Sequence, residues 1–467
     1  MARIALWRWW APALLSLIFA TGAADAAPRD GLVLSPDQMR NAAGLSLQAG
    51  RAERALAFAE ALIARDETDF TALLVRARAL RDLNRMEHAK PAARAAWSEA
   101  DTPEERFAAA MVMAQVQSTA GHKTLAQLWL RRAVHLAPNE DLERRAIRDF
   151  KYVRATNPWS TRLSFSITPD SNINNGSSSR TSFLNYRLTE VLFGRPLEYT
   201  LNGSARALSG VEYAFGFDTR YRFRQTERTA HDLFFSLDLR RYTLSSEARE
   251  LAPDLSGDDF AYSSFYVGYG YRAFNFDRRG EYALRADAGQ SWLAGDELLR
   301  FVRVSALQSY ALTPRTRING RLFGERQFGV RIYDLDTMRL DLWLARFLEN
   351  GMQLRLAVTG AVATSPDDTR EFNELGLRGS VTLAKSIFGA DAQFGLGVRS
   401  RDYDVSLHDP DGRNEDRYTA DITLIFSKID YYGFNPTVTI YGSTTDSNIG
   451  LYDSDRFGVN FGIQSAF

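Results

Sequence analysis

The chain has 467 residues, 57 Lys and Arg against 57 Asp and Glu, and no cysteine. Its length allows two or three domains, and its zero net charge gives no indication of a nucleic-acid partner. The missing cysteines exclude disulfides, thiolate metal sites, a cysteine nucleophile and a lipidated N-terminal cysteine. Mean hydropathy is slightly negative, but a membrane barrel spreads its apolar residues over alternate positions and so gives no hydropathy peak.

Residues 1–26 have the parts of a secretory signal peptide. Arg3 and Arg8 form a charged region, residues 9–20 are apolar, and Ala24-Asp25-Ala26 is a small-x-small cleavage site. The apolar stretch is too short to span a bilayer as a helix, and a membrane anchor is the alternative interpretation. We therefore expect export, a mature chain that begins at Ala27, and membrane insertion only through strands.

Residues 34–156 are rich in Ala, Leu, Arg and Glu at helical spacing, and they contain a repeat. When Gly50, Asn84 and Gly121 are aligned, small or apolar residues recur five and twelve positions later: Ala55, Ala89, Ala126, Leu62, Ala96 and Ala133. The third copy, with Gly121, Ala126, Ala133 and then Pro138, resembles the tetratricopeptide repeat. The first two copies lack the proline, and most aromatic positions of that repeat are unfilled.

This pattern predicts a short periplasmic superhelix of helix pairs, each too thin to bury its own apolar face. Such stacks present a concave surface that commonly binds peptides. An unrelated helical bundle that acts as a plug or spacer is the alternative. Residues 141–156 are expected to form a closing helix, which Asn157-Pro158-Trp159 ends because proline disfavours a helical residue before it.

From residue 160 to 467 the period of the apolar residues changes from 3.6 to 2, which predicts strands. Bacterial single-chain barrels have an even number of strands, and we count fourteen. They lie at about 160–168, 210–224, 231–244, 263–276, 280–294, 299–312, 315–328, 338–348, 351–364, 373–386, 388–403, 416–428, 435–445 and 455–467. The predicted fold is α plus transmembrane β: a tetratricopeptide-like helical domain followed by a 14-stranded antiparallel outer-membrane β-barrel.

Within the predicted strands, apolar residues alternate with polar or charged ones. A charge on the lipid face of a barrel costs about 2–4 kcal/mol near the midplane, so the charged sets are expected to line the lumen. The inward arginines would be Arg240, Arg272, Arg285, Arg303 and Arg355, with carboxylates at Asp238, Asp287 and Asp341. Such a lining is usually ordinary solvation and salt pairing, and it could also select what passes.

Short connections alternate with longer polar ones along the barrel region. In barrels the short turns are periplasmic and the long loops extracellular, which places the helical domain and Phe467 in the periplasm. A β-helix or a soluble sandwich does not produce this alternation. The strand at 455–467 ends on Phe467 and resembles the C-terminal signature recognised by the barrel-assembly machinery.

Two copies of a short motif follow the first and the thirteenth predicted strands. They are Pro169, Asp170, Ser171, Asn172, Ile173 and Asn174, and Asp446, Ser447, Asn448 and Ile449. Because the first and last strands of a closed barrel are neighbours, both copies are expected on the extracellular rim beside the closing seam, where they would stabilise or gate it. Asp, Ser and Asn also favour turns, so two ordinary loop-capping turns are the alternative.

With the signal peptide, helical repeats and fourteen strands, the segment 169–174 resembles the surface lipoprotein assembly modulator family, which is associated with type XI secretion. The likeness of layout extends over the whole mature chain. It implies a translocon that moves a surface lipoprotein, or a soluble haem- or metal-scavenging protein, across the bacterial outer membrane. It also implies that the helical region engages this client or a periplasmic chaperone, and that the barrel is the route or the gate.

Other functions are disfavoured by the residues present. The spacing of Ser406, His408 and Asp409 is not that of an arranged triad, and the carboxylates at 409–416 miss the EF-hand spacing and include the opposing Arg413. We therefore predict a non-enzymatic protein without cofactor or metal. An exopolysaccharide export porin, a passive porin and an outer-membrane hydrolase are the alternatives to a translocon.

Overall fold

The computed structural model describes residues 33–429, 431 and 434–465. The predicted signal peptide and Phe467 lie outside these residues. In the described part, seven helices precede the strands: α1 Pro36–Gln48, α2 Ala52–Arg65, α3 Phe70–Asp82, α4 Met86–Ser98, α5 Pro103–Thr119, α6 Lys123–His135 and α7 Glu140–Thr156. In that same part, none of the helices has the length and hydropathy to cross a membrane.

The three aligned repeat residues lie at equivalent turns. Gly50, Asn84 and Gly121 have φ of 70°, 57° and 84° and follow α1, α3 and α5. This left-handed conformation is inexpensive for glycine and tolerated by asparagine, and it ends the first helix of each pair. The repeat in the sequence therefore corresponds to a repeated helix–turn–helix unit.

Small side chains let the helices approach closely. Ala55, Ala89, Ala126 and Ala133 are completely buried in two adjoining apolar cores. Pro138 follows α6, and the side chain of Asn139 then caps α7 by accepting from the Leu142 amide at 3.0 Å. The alanines pack the second helix of each pair against the first, as in stacked helical repeats.

After the helices, fourteen of the strands in the described part of the chain form a closed antiparallel barrel, which confirms the predicted fold class. Their order around the barrel is β1-β16-β15-β14-β13-β12-β11-β10-β9-β8-β7-β6-β5-β4, and β2 and β3 form a separate hairpin. The strands are β1 Trp159–Asp170, β2 Thr181–Leu184, β3 Leu197–Thr200, β4 Gly210–Gln225, β5 Thr229–Leu244, β6 Tyr262–Asn275, β7 Gly280–Leu293, β8 Asp296–Thr313, β9 Thr316–Gly329, β10 Leu335–Phe347, β11 Gln353–Thr364, β12 Phe372–Thr382, β13 Asp391–Tyr403, β14 Arg413–Ile425, β15 Phe434–Ser447 and β16 Ser454–Ser465.

The apolar face of each strand is on the outside. In β10, Leu340 and Leu342 are each 47% exposed, whereas Asp341 between them is 7% exposed and faces the lumen. An apolar exterior around a polar interior is the arrangement of a transmembrane barrel. A lumen filled with charged side chains and an outer wall of Leu, Val, Phe and Tyr follow from the same period of two.

Some predicted boundaries are wrong. Ile387 was expected to be the whole connection between two strands, but β12 ends at Thr382 and β13 begins at Asp391. Phe388 and Gly389 have φ of 51° and 78°, a left-handed turn that strands cannot continue through. The acidic segment 409–416 is likewise not one loop, because Arg413 begins β14 and its guanidinium pairs with Glu415.

The helical domain meets one end of the barrel. The Arg131 guanidinium of α6 lies 4.8 Å from the ring of Phe150 in α7 and 4.3 Å from the ring of Phe434, where β15 begins. Trp159, the first residue of β1, is at this same end. We call it the domain end, and the opposite end, where β1 finishes at Asp170, the loop end.

Candidate functional site at the barrel seam

The pairing of β1 with β16, which we call the seam, is the least complete in the barrel. Among the described residues, β1 pairs with β16 at Ser166–Gly462, Ile167–Phe461 and Asp170–Gly458. Its other edge pairs continuously with β4 from Trp159 to Asp170. The domain-end half of β1, residues 159–165, is thus held by β4 alone within the described part of the chain.

Pro169 contributes to this gap. The backbone N–H of Ser171 donates to the Phe457 carbonyl at 3.0 Å, and alternate residues of a strand point their N–H groups to the same neighbour. The register therefore directs residue 169 to the Val459 carbonyl, but proline has no N–H to donate. One backbone hydrogen bond is therefore missing near the loop end of the seam.

Side chains replace the missing backbone bonds. The Asp170 carboxylate is 6% exposed, and its Oδ2 accepts from the Tyr441 hydroxyl at 2.6 Å and from Arg456 Nε at 2.8 Å. Its Oδ1 accepts from the Asn172 amide at 2.8 Å. We call Asp170, Tyr441 and Arg456 the latch, because together they join β1 to β15 and β16 through charge-assisted hydrogen bonds.

A glycine makes room for the latch. Gly458 on β16 lies directly opposite Asp170, and a Cβ atom there would be 2.4 Å from the Tyr441 ring and hydroxyl. The tyrosine therefore crosses above β16 where no side chain stands, and reaches β1 from β15.

The two motif copies make matching contacts. The Asn172 amide nitrogen donates to the Gly176 and Asp455 carbonyls at 2.9 and 3.2 Å, and its oxygen accepts from the Gly176 amide at 2.9 Å. In the second copy, the Asn448 amide nitrogen donates to the Gly412 carbonyl at 3.1 Å, and its oxygen accepts from the Asn414 amide at 2.8 Å. Each asparagine thus clamps the backbone of a neighbouring segment.

The isoleucines of both copies, Ile173 and Ile449, are buried at 5% and 3% exposure. Ile173 packs with Leu208 of its own loop and with Ala248 and Ala252 of the loop between β5 and β6. The motif therefore combines a turn, an amide clamp and an apolar anchor. Ordinary capping turns account for the first of these features but not for the other two.

The connection from β1 to β4, residues 171–209, which we call the cap, carries the first motif and joins other loops at the loop end. It contains β2, β3 and the helix α8, Arg187–Phe193. The Ser177 hydroxyl donates to the Gly450 carbonyl at 2.6 Å, and the Asn185 amide donates to the His408 carbonyl at 2.8 Å. The cap is thereby bound to the loops before β14 and before β16.

His408 takes part in this packing. Its ring Nδ1 is 3.4 Å from the Tyr199 hydroxyl, and its backbone N–H donates to Ser406 Oγ at 3.1 Å. Burial, and then the Arg413 charge, lower the pKa of the His408 imidazole below its ordinary value. The carboxylate of Asp409 instead accepts from the Asn185 side chain at 3.3 Å. These contacts hold a loop together and do not align a nucleophile with a base.

Elsewhere in the barrel, side chains that face the lumen form ion pairs along the inner wall. Asp232, 2% exposed, accepts from Arg222 Nε and Nη2 at 2.8 and 3.1 Å, with Arg272 at 3.5 Å. The predicted inward residues Arg285 and Asp287 pair at 2.8 Å, and the predicted inward Asp341 pairs with Arg321 at 2.7 Å. In the described part of the chain, no group of three or more His, Asp or Glu side chains is arranged to hold a metal ion.

The sequence patterns did not reveal Tyr441 and Arg456. Both occupy inward positions on the last two strands, and this face is visible from the period of two. Their meeting with Asp170 depends on the registers of β15, β16 and β1, which no pattern specifies.

No family model and no curated protein matches the chain. The Yersinia enterocolitica type III secretion translocator chaperone SycD is 19% identical over 26% of this chain and 88% of its own, with a TM-score of 0.24. Acinetobacter baumannii OccAB3 is 9% identical over 65% of this chain and 98% of its own, with a TM-score of 0.35. A bacterial polysaccharide outer membrane secretin is 7% identical over 65% and 98%, with a TM-score of 0.34. These likenesses assign no function to the chain.

Proposed function

We propose that this protein is a non-enzymatic outer-membrane translocon that delivers a client protein from the periplasm to the cell surface through a seam that opens. The observation that carries the proposal is the seam itself. It combines incomplete backbone pairing, a proline at a hydrogen-bonding position and a side-chain latch. The resemblance of the motif at 169–174 to the surface lipoprotein assembly modulator family points to the same class of function.

The energetics favour opening here over any other pair of strands. Separating two fully paired strands leaves a row of backbone groups without partners, each costing several kcal/mol in hydrocarbon. At the seam fewer such bonds are present to break, and the Val459 carbonyl already lacks the N–H that residue 169 would supply. Releasing the latch requires only that the hydrogen bonds of Asp170 with Tyr441 and Arg456 break.

The helical domain suits a role in receiving the client. It contacts the domain end through Arg131, near the half of β1 that the described residues pair with β4 alone. The export signal predicted from the sequence and the short turns at this end of the barrel favour a periplasmic domain. There the concave side of a helical stack would engage a surface lipoprotein, a soluble secreted protein or its chaperone.

Surface proteolysis of intact cells tests the proposal. The candidate client is a small secreted or lipidated protein encoded beside this gene, expressed with the full chain, without it, or with a variant combining Asp170→Ala, Ser171→Ala and Asn172→Ala. We expect client cleavage only when the full chain is present, and reduced cleavage with the variant.

Heat-modifiable migration of the barrel in gels checks insertion in each strain. Equal client exposure with and without the inserted full chain would show that protein export is wrong. Normal exposure and normal protein level with the triple variant would remove the motif from the mechanism. In the first case, secretion of a polysaccharide becomes the function to test.

A further inference from the structure

The lumen near the loop end carries more arginines than carboxylates. On the inward faces of β13, β14 and β16 the arginines are Arg399, Arg401, Arg413, Arg417 and Arg456. The carboxylates that meet them within 4.0 Å are Glu374, Glu415 and Asp170. The excess of positive charge is local and lies below the cap.

Among the described residues, the pairing leaves Arg417 without a salt bridge. Glu374 forms salt bridges with both Arg401, at 2.5 Å, and Arg399, at 3.6 Å. Glu415 forms one with Arg413 at 3.0 Å. Among the described residues, no carboxylate lies within salt-bridge distance of Arg417, whose Nη2 donates to the Ser443 hydroxyl at 3.1 Å. Its Nε is buried and has no hydrogen-bond partner in the part of the chain that the structure describes.

The register brings further positive charge beside it. Arg399 stands directly opposite Arg417 on the adjacent strand, an arrangement that is destabilising when nothing lies between the two charges. Ser443, the hydroxyl partner of Arg417, is in turn directly opposite Arg456. Three guanidinium groups from β13, β14 and β16 therefore border one part of the lumen wall.

We propose that Arg399, Arg417 and Arg456 form a binding site for an oxoanion, a carboxylate or phosphate group, in the lumen below the cap. An oxoanion would accept from the orphaned Nε and separate the opposed charges. The planar guanidinium matches two oxygens of such a group at once. The cations of the site are all arginines. The two lysines after residue 158 lie in connections, Lys385 between β12 and β13 and Lys428 between β14 and β15.

The site does not depend on the proposed function, because it concerns the lumen wall whatever passes through it. Arg417 also differs from the arginines of the other lumen ion pairs described above. Arg285 and Arg321 have carboxylates at 2.8 and 2.7 Å, so their charge is already compensated within the protein.

Thermal unfolding of the full chain in detergent micelles tests the site. Inorganic phosphate and a hexaglutamate peptide are each titrated against chloride at constant ionic strength, and the folded barrel is followed by its heat-modifiable migration. We expect one or both to raise the unfolding midpoint, and Arg417→Gln to weaken the apparent affinity about tenfold, as expected for loss of charge-assisted bonds. Phosphate alone would identify a phosphate site, and hexaglutamate alone a carboxylate site.

The matched control is Arg326→Gln, which removes an exposed arginine on the outer wall that pairs with Asp336 at 3.3 Å. It should leave the response unchanged. If Arg417→Gln does not fold, Arg399→Gln replaces it with the same expected loss. No midpoint shift with either anion, or an undiminished shift in the folded arginine variant, would overturn the site.

Discussion

The seam and the wall from β4 to β9 close the same barrel by different means. In the wall, long antiparallel ladders pair the strands over most of their length, with single bulges such as the one between Arg222 and Arg224. Buried ion pairs such as Asp232 with Arg222 lie on their inner face. In the described part of the seam, three paired positions and one missing donor leave the closure to side chains gathered around Asp170. The wall distributes its stability over many bonds, whereas the seam concentrates it in one carboxylate.

This difference shows that two strands of a barrel can be held together without the rigidity of a full backbone ladder. Ladder bonds in hydrocarbon cannot be released singly without leaving backbone groups unpaired. Side-chain bonds at the loop end can exchange partners with water, because they lie where the strands leave the membrane. A barrel that must open benefits from having its weakest pairing closed by such contacts.

The largest effect is expected from fixing the seam covalently. The chain has no cysteine, so Ser166→Cys with Gly462→Cys introduces one pair, at positions facing each other across the seam. Cα atoms of such non-hydrogen-bonded pairs are close enough for a disulfide. We expect oxidation to abolish client display almost completely and a reductant to restore it.

The matched control for this lock is Thr423→Cys with Thr439→Cys, whose hydroxyl groups are 3.0 Å apart between β14 and β15. Oxidation there should leave display unchanged. If the seam disulfide forms fully and display persists, the route does not pass through the seam, and the comparison loses its functional meaning.

The next largest effect separates stability from transport. Asp232→Ala would leave Arg222 and Arg272 without their shared carboxylate. Removing one partner of a buried ion pair costs about 3–5 kcal/mol. Asp170→Ala removes charge-assisted bonds to two partners, worth about 1.5–3 kcal/mol each before the loop end relaxes towards water. Urea unfolding in micelles should show the greater loss for Asp232, while client display should respond more to Asp170.

Asp296→Ala is the control for both, because its ion pair with Arg331 is exposed and such pairs contribute about 0–1 kcal/mol. Equal effects of Asp232→Ala and Asp170→Ala in both assays would mean that wall and seam do not differ as proposed.

A smaller effect is expected from giving the seam its missing donor. Pro169→Ala supplies an N–H directed at the Val459 carbonyl, and one added hydrogen bond is worth about 0.5–1.5 kcal/mol. Hydrogen exchange of the seam amides, including Phe457 and Ser171, should slow by roughly twofold to tenfold. Pro314→Ala, in the turn between β8 and β9, should not change them, and unchanged seam exchange in Pro169→Ala would contradict the assigned register.

The smallest effect concerns the loop between β13 and β14, which packs against the cap. The pKa of His408 is lowered from its ordinary value of 6.5 when the loop is packed, so packing favours the neutral ring. Above about pH 6.5 this contribution is fully present, and it falls as the pH drops below that value, because the unpacked histidine binds protons first. Proteolysis at residues 404–412 should be faster at about pH 5.5 than at about pH 7.5. The difference should vanish in His408→Gln, and equal rates in the unaltered chain would rule out this dependence.

The barrel strands are readable from the sequence because each has one face towards lipid and one towards the lumen. Leu340, Asp341 and Leu342 show how sharply a single step in the chain changes the environment. The cap was harder to predict, since β2 and β3 have only four residues each and their partners lie within a loop rich in Ser and Asn. Tertiary packing, not periodicity, forms that hairpin.

The motif positions were visible as a repeated Asp-Ser-Asn-Ile, but their contacts were not. A period of two determines which face a side chain occupies, and a shift of the whole ladder by two residues would keep every face unchanged. Tyr441 and Asp170 are 271 residues apart, so only the closed structure shows that they meet above Gly458. Without the register, the need for a glycine at position 458 could not be predicted either.

The distance along the chain between the latch partners also determines when the barrel can be completed. Arg456 lies 286 residues after Asp170, so β1 must wait, bound on one edge only, until nearly every other strand has been made and inserted. Contacts between such remote segments form slowly. Pairing of the first strand with the last is therefore expected to be the slowest step of barrel assembly. The hydrogen bonds of Asp170 with Tyr441 and Arg456 can form only when that step is complete.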